Sequence, residues 1–228
     1  MEENHPFQFG LKPFITYLVQ NFGVTIYVNL LVLLTSLTVI GIPASLVAGS
    51  AVYLRIFRGD PCPVRETYFT VFKREFRRSL GIGLGIQLAI LLSLYVAAVY
   101  YRMGGENVFL LIAAVVCISL SLIWLAASFY IWIMLALVDL PVRDIFRNSL
   151  QLAFLRAPQN IIGVFVILLV GYLYVRNLPL SLSAAPFFSV GLTLFTTTYL
   201  AYSGIEKFVL REEKSKTDDD HESLYLQR

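Results

Sequence analysis

The most informative feature of this sequence is how little charge it carries. Only 14% of its 228 residues are Asp, Glu, Lys or Arg, whereas 57% are hydrophobic. Soluble globular domains usually contain about 25% charged residues. The composition therefore excludes an ordinary soluble domain and indicates a protein embedded in a lipid bilayer.

Charged residues are absent from five long stretches of the chain. A helix needs about 20 apolar residues to cross a hydrocarbon layer about 30 Å thick, and each stretch approaches or exceeds that length. The pattern predicts an all-α bundle of five transmembrane helices in one domain, residues 1–208. The predicted spans are about 24–54, 80–101, 107–138, 159–175 and 186–205.

Histidine and cysteine are scarce, with two of each. His5 and His221 lie near opposite ends of the sequence, whereas Cys62 and Cys117 fall in a predicted loop and a predicted span. These positions do not favour a metal site, a disulfide or an acid–base histidine. Because Ser/His, paired-carboxylate and HExxH arrangements are also missing, we expect no cofactor, no metal and no enzymatic activity.

Lys and Arg are distributed unevenly among the segments between the predicted spans. From the N-terminus to the C-terminus, these segments contain 1, 7, 1, 3, 1 and 5 basic residues. Because basic residues are retained on the cytoplasmic side of a membrane, the alternation predicts an N-terminus outside and a C-terminus in the cytoplasm. The acidic Glu2 and Glu3 disfavour a cleavable signal peptide, and residues 209–228 are predicted to be a disordered cytoplasmic tail.

A dense basic cluster precedes the second predicted span. Residues 63–79, PVRETYFTVFKREFRRS, place apolar side chains on one half of a helix and cations on the other, except Arg65 and Glu75. This pattern predicts an interfacial helix with its aromatic face in the acyl boundary and its cations near anionic headgroups. A second interfacial helix is predicted at about 141–156. Nucleic-acid binding is not expected, because the aromatic side chains lie on the apolar face and are not left exposed to stack on bases. The cations predicted to contact lipid or a protein partner are Arg65, Lys73, Arg74, Arg77, Arg78, Arg143 and Arg147.

Small residues and one proline indicate how the helices pack. Gly81 and Gly85 have the spacing that allows close helix approach, as Gly49 has with Ser45, so a homo-oligomer through such faces is also predicted. Pro43, within GIPAS at 41–45, removes a backbone hydrogen bond and predicts a kink beside Gly41. A broken helix at membrane depth can also form a ligand site, and both interpretations remain open.

One internal repeat is visible in the sequence. Residues 63–79 and 141–157 both begin with Pro-Val-Arg and an acidic residue, and each leads into a predicted span. The two segments start 78 residues apart, with two predicted spans between them. The sequence therefore predicts two parallel units, each built from a span, a cytoplasmic amphipathic helix and a span.

Four short segments carry a resemblance to a known family. They are NLLVLLTSL at 29–37, PAS at 43–45, RGD at 58–60 and YFTVFKREFRRS at 68–79. With these segments the chain resembles the YesL-like family of bacterial integral membrane proteins, although Thr38 stands where the family usually has proline. The resemblance implies a cell-membrane protein without an established activity. Because such proteins tend to be encoded near carbohydrate ABC transporters, it also implies a role in sugar uptake or its control.

Two functions remain open on the sequence alone. The first is a non-enzymatic accessory protein that docks a partner, such as a carbohydrate ABC transporter component, or anionic lipid through its cytoplasmic cations. The alternative is a small permease or channel-like protein for a neutral solute, since the spans lack the buried ionisable residues of coupled transporters. Its polar cavity would lie near Asn29, Ser36, Thr38, Ser45 and Gln87.

Overall fold

The computed structural model describes residues 9–105, 107–137, 140–176 and 178–205, and these residues are almost entirely helical. The predicted tail at 209–228 lies outside the described residues. The helices are α1 (Leu11–Gln20), α2 (Phe22–Ser36), α3 (Ile42–Arg58), α4 (Val64–Gly104), α5 (Val108–Leu137), α6 (Val142–Leu155), α7 (Ala157–Arg176) and α8 (Leu178–Ile205).

The predicted first span, 24–54, consists of two helices that pack antiparallel rather than one long helix. Ser36 Oγ, at the end of α2, lies 2.8 Å from Ser45 Oγ, near the start of α3. A Cβ added to Gly49 would lie 3.2 Å from Val32 Cγ2, one turn earlier in α2. Earlier residues of α2 therefore contact later residues of α3, as in a helical hairpin.

The reversal occurs at a 3-10 turn, Val39–Gly41. Gly41 is required there because a Cβ would overlap the carbonyl oxygen of Thr35. Pro43 lies in the first turn of α3, where its missing N–H is not needed and its fixed φ suits a helix. The predicted kink at this proline is therefore a complete chain reversal.

The start of the described chain lies beside the ends of α3 and α8. The Tyr199 hydroxyl lies 2.9 Å from both the amide nitrogen and the carbonyl oxygen of Gly10. The Phe57 ring, near the end of α3, contacts Tyr17 of α1 and Tyr199 of α8, with centroids 5.7 and 5.5 Å apart. The N-terminal helix and the C-terminal end of α8 therefore share one end of the bundle.

This end also carries most of the charge, and we call it the basic end. Arg55, in the last turn of α3, donates through Nη1 to Thr67 Oγ1, in the first turn of α4, at 3.2 Å. Among the residues that the structure describes, only Arg102 and Arg176 place basic side chains at the opposite end of the helices.

α4 is one continuous helix of 41 residues, about 61 Å long at 1.5 Å per residue. The predicted interfacial helix at 63–79 and the predicted span at 80–101 are therefore not separated by a break. Part of the aromatic face of the first part packs against the protein, since Phe69 and Phe72 are half-buried against the core. Tyr68 is fully buried, and its hydroxyl lies 2.7 Å from Thr35 Oγ1 of α2, because a buried phenol needs a hydrogen-bond partner.

The α2–α3 hairpin extends along only part of α4. A Cβ at Gly83 would overlap the ring of Pro43, at the turn of the hairpin, and would lie 3.3 Å from Trp132 Cη2 of α5. Beyond Gly83, α4 continues to Gly104 for about 31 Å. In the most apolar stretches of α4 and α5, only 22% and 11% of residues are buried in the protein, against 67% in Val39–Arg58.

Two short helices at the basic end join longer ones at sharp bends. α1 meets α2 at 74°, and α6 meets α7 at 95°. The bounds of α6 coincide with the predicted interfacial helix at 141–156. α1 was not predicted from the sequence, although Leu11, Ile15 and Val19 form an exposed apolar stripe at helical spacing.

Within the described ranges, three helices are long and apolar enough to cross a membrane, or five spans if each bent pair counts as one. α8 adds 28 residues without a charged side chain. The protein is therefore all-helical with membrane-like apolar helices. The predicted parallel repeat is not confirmed: residues 63–79 continue into α4 without a break, whereas residues 141–157 contain the separate α6 and a bend.

The contact between the hairpin and α4 predicts unequal effects of two glycine substitutions. Gly83→Ala forces a methyl group into the rigid Pro43 ring and should lower the free energy of unfolding by about 1–3 kcal/mol. Gly85→Ala is the control, because a Cβ there meets nothing within 4 Å and better helix propensity should stabilise by up to about 1 kcal/mol. Thermal unfolding in detergent measures both, and equal stability of the two variants would contradict the packing described.

Candidate functional site

Asn29, one of the residues predicted to line a permeation cavity, joins two helices. Asn29 Oδ1 accepts a hydrogen bond of 2.7 Å from the amide of Gly191, and the Tyr53 hydroxyl donates to the Gly191 carbonyl at 3.1 Å. These bonds clamp α2 and α3 to α8. Buried polar groups must be hydrogen-bonded, and these two bonds explain why Asn29 and Tyr53 occur inside apolar helices.

The other predicted cavity residues lie elsewhere. Ser36 and Ser45 are hydrogen-bonded to each other, and Thr38 is exposed at the hairpin turn, where its hydroxyl donates to Thr35 O at 3.3 Å. Gln87 is half-buried on α4. The structure therefore places Ser36, Thr38 and Ser45 at the hairpin turn, whereas Asn29 contacts α8.

An apolar cavity of about 410 Å³ lies between α3, α5, α7 and α8. Its hydroxyl groups are engaged by the backbone of their own helices: Ser128 Oγ donates to Leu125 O at 2.6 Å, and Thr197 Oγ1 donates to Thr193 O at 3.0 Å. The wall is consequently hydrocarbon, provided mainly by Leu46, Phe129, Trp132, Ile167, Val170 and Leu194.

A second pocket, of about 480 Å³, lies at the basic end between the end of α3, the start of α4 and the end of α5. We call it the arginine pocket. Three arginines, one aspartate and several aliphatic residues line it. Its polar residues are Arg55, Arg58, Asp60, Thr67 and Arg74, and its apolar ones include Ala51, Leu54, Val71, Ala136 and Leu137.

Two arginines of this pocket are held by neighbouring helices. Arg55 is hydrogen-bonded to Thr67 of α4. Arg58 Nε donates to the Tyr202 hydroxyl of α8 at 3.3 Å, and its guanidinium carbon lies 5.8 Å from the centre of the Tyr202 ring. Side chains fixed by different helices lose less freedom when a ligand arrives, so the pocket is partly preorganised.

The third arginine, whose side chain is 55% exposed, is paired with a buried carboxylate in an ion cluster. Arg74 Nε donates to Glu75 Oε1 at 2.7 Å, and Arg78 Nη1 lies 3.8 Å from Glu75 Oε2. Glu75 is only 3% exposed, so its carboxylate depends on these cations. Arg78 also donates to the Leu140 carbonyl, and the cluster thereby connects α4 to the segment before α6.

Cys62 lies in the loop that leads from α3 to α4. Its thiol donates to the Val52 carbonyl at 3.8 Å. Burial raises the pKa of the Cys62 thiol above its ordinary value, so the thiol stays protonated near neutral pH and is a poor nucleophile.

The predicted basic surface is distributed over several parts of the basic end. Arg74 lines the arginine pocket with a side chain that is 55% exposed, and Arg78 is turned toward Glu75 and Leu140, whereas the other five predicted cations are exposed outside the pocket. The exposed ones are Arg65 and Lys73 on one side of α4, Arg77 further along it, and Arg143 and Arg147 on α6. Arg55 and Arg58, which complete the pocket, were not predicted from the sequence, because their role depends on the return of α4 along α3.

The predicted packing glycines have two different surroundings. Gly49 lies inside the bundle, where a Cβ would come 2.5 Å from Leu194 Cδ2 of α8. Gly81 and Gly85 face away from the rest of the chain, because a Cβ at either would meet nothing within 4 Å. The face that they share is open to lipid or to another helix.

A family described as "Protein of unknown function, DUF624" matches residues 25–98. The matched segment begins in α2 and ends in α4, so it contains the α2–α3 hairpin and the α3 and α4 residues of the arginine pocket. A search of curated proteins and a search of solved structures found no match.

The ion cluster predicts that neighbouring arginines of α4 differ in structural importance. Arg78→Gln should lower the free energy of unfolding by about 1–3 kcal/mol, because it removes a cation from a buried carboxylate and a donor from a carbonyl. Arg77→Gln removes the same charge from an exposed position and should change stability by less than about 0.5 kcal/mol. Chemical denaturation in detergent compares them, and equal losses would show that Glu75 does not depend on Arg78.

Proposed function

We propose that this chain is a multi-pass protein of the bacterial cell membrane whose basic end faces the cytoplasm and docks a partner. Four helices, α4, α5, α7 and α8, cross the membrane in this proposal. α1 and α6 lie in the cytoplasmic interface, and the α2–α3 hairpin enters the membrane from the cytoplasmic side and returns to it.

The depth of the hairpin supports this arrangement. Arg78 is the last charge before the apolar part of α4, and Arg102 is the next one. Gly83, which touches the turn of the hairpin at Pro43, lies about 7 Å beyond Arg78 and about 28 Å before Arg102 along the helix. With hydrocarbon about 30 Å thick, the turn lies in the cytoplasmic half of the membrane.

The chemistry of the turn supports the same conclusion. Leu37 is 80% exposed and Val39 is 70% exposed, and the turn contains no charged residue. Such side chains suit hydrocarbon better than water. The bent backbone is compensated internally, since Gly41 N donates to Thr38 O at 2.7 Å and Thr38 Oγ1 to Thr35 O, as irregular backbone at membrane depth requires.

In this proposal the N-terminus, which the sequence predicts outside, moves to the cytoplasmic side, whereas the C-terminus stays cytoplasmic as predicted. A hairpin that returns to the same face leaves α1 and the end of α8 on one side, as the contact between Gly10 and Tyr199 supports. Lys12 then joins the other cations on the cytoplasmic side. Arg102 and Arg176 are left as the outer basic residues of the described ranges, in agreement with retention of positive charge inside.

The functional proposal rests on one observation: polar groups inside the bundle are hydrogen-bonded, whereas several cations at the basic end are exposed. Polar side chains of α2 and α3 bind the backbone of α8, whereas Arg77, Arg143 and Arg147 remain exposed at the basic end. This separation favours a non-enzymatic accessory protein over a solute pathway. The proposed link to carbohydrate uptake, with an ABC transporter component as partner, rests on the resemblance of the sequence to the YesL-like family.

Site-specific photocrosslinking in native membranes tests this proposal. A benzophenone amino acid in place of Arg77 or Arg143 should form an adduct with a carbohydrate ABC transporter subunit, identified by mass spectrometry. The same probe in place of Tyr101, exposed at the opposite end, is the control and should not form it. Failure to recover a transporter subunit from the basic end, or equal recovery from Tyr101, would contradict the proposed partner.

A further inference from the structure

We propose that the arginine pocket binds the phosphate group of an anionic ligand. The proposal goes beyond the docking function, because it concerns a concave site between α3 and α4 rather than the exposed cations Arg77, Arg143 and Arg147. It also rests on different residues, so that either proposal can fail without the other.

The charge of the pocket matches a phosphate monoester. Three arginines, Arg55, Arg58 and Arg74, and one aspartate, Asp60, line the pocket, which gives these four residues a net charge of about +2. A phosphate monoester carries about −1.5 to −2 near neutral pH. Arg74 is also paired with the buried Glu75, which Arg78 binds as well, and counting both Glu75 and Arg78 leaves the net charge at about +2.

The hydrogen-bond donors also match. A guanidinium has five N–H donors in a planar fork that suits phosphate oxygens. Arg55 directs an Nη1 hydrogen to Thr67, and Arg58 and Arg74 direct their Nε hydrogens to Tyr202 and Glu75. These bonds orient the side chains, and the other edge of each fork can reach a ligand between them.

The size and inner wall of the pocket indicate more than a bare ion. The pocket has a volume of about 480 Å³, several times that of a phosphate group. Leu54, Val71 and Leu137 line it, so the part of the ligand next to the phosphate is apolar or amphipathic. A phospholipid headgroup that enters from the membrane interface and a soluble organic phosphate share this chemistry.

The full-length protein in nanodiscs of phosphatidylcholine provides the test. Calorimetric titration with short-chain phosphatidic acid should show saturable binding, whereas short-chain phosphatidylcholine should not bind. Arg55→Gln and Arg58→Gln should each weaken the affinity at least about tenfold, because each loses a charge-assisted bond. Arg77→Gln, which removes the same charge from outside the pocket, is the matched control and should change the affinity less than about twofold.

Two further experiments test whether a variant loses binding because it misfolds, and whether the phosphate belongs to a lipid or to a soluble molecule. Arg55→Lys keeps the charge and the aliphatic stem, so it should fold, yet it should still weaken binding because ammonium lacks the guanidinium fork. Competition by glycerol phosphate would assign the site to soluble phosphates, and binding of phosphatidic acid without competition would assign it to a lipid headgroup. Absence of saturable binding, or equal losses in the Arg55, Arg58 and Arg77 variants, would overturn the proposal.

Discussion

The contact between Pro43 and Gly83 fixes how far the α2–α3 hairpin extends along α4, and the remaining arrangement depends on it. Glycine is needed on α4 because any side chain would overlap the proline ring. Proline is tolerated on α3 because it lies in the first helical turn. With the turn held at this level, the ends of α2 and α3 return to the basic end, where α1, α6 and the end of α8 also lie.

Polar residues serve two purposes in this protein, and burial separates them. In the interior, Asn29 and Tyr53 bind the backbone of Gly191, and Tyr68 binds Thr35, so that amide and hydroxyl groups hold apolar helices in register. At the basic end, arginines from α3 and α4 line a pocket, and two arginines of α4, Arg74 and Arg78, pair with the buried Glu75. Helix association in lipid gains little from the hydrophobic effect, so it depends more on specific polar contacts and close packing.

The helical class and the concentration of cations were predictable, because both follow from long charge-free stretches and from the counts of Lys and Arg. The division of residues 24–54 into two helices was not predictable. One long span and two short helices that turn at Gly41 have the same apolar content. Periodicity correctly separated two faces at 63–79, yet it could not show that Tyr68 faces α2 instead of lipid. Arg55 and Arg58 form part of a site because the loop after Gly59 places the start of α4 beside the end of α3, which the sequence does not show.

The accessibility of single cysteines, in a background without Cys62 and Cys117, tests the re-entrant hairpin most directly. A membrane-impermeant maleimide should label a cysteine at Lys12 only from the cytoplasmic side and one at Asn107 only from outside. A cysteine at Val39, exposed on the hairpin turn, should react from neither side because hydrocarbon surrounds it. Labelling of Val39 from outside would show that the hairpin crosses the membrane and would contradict this account.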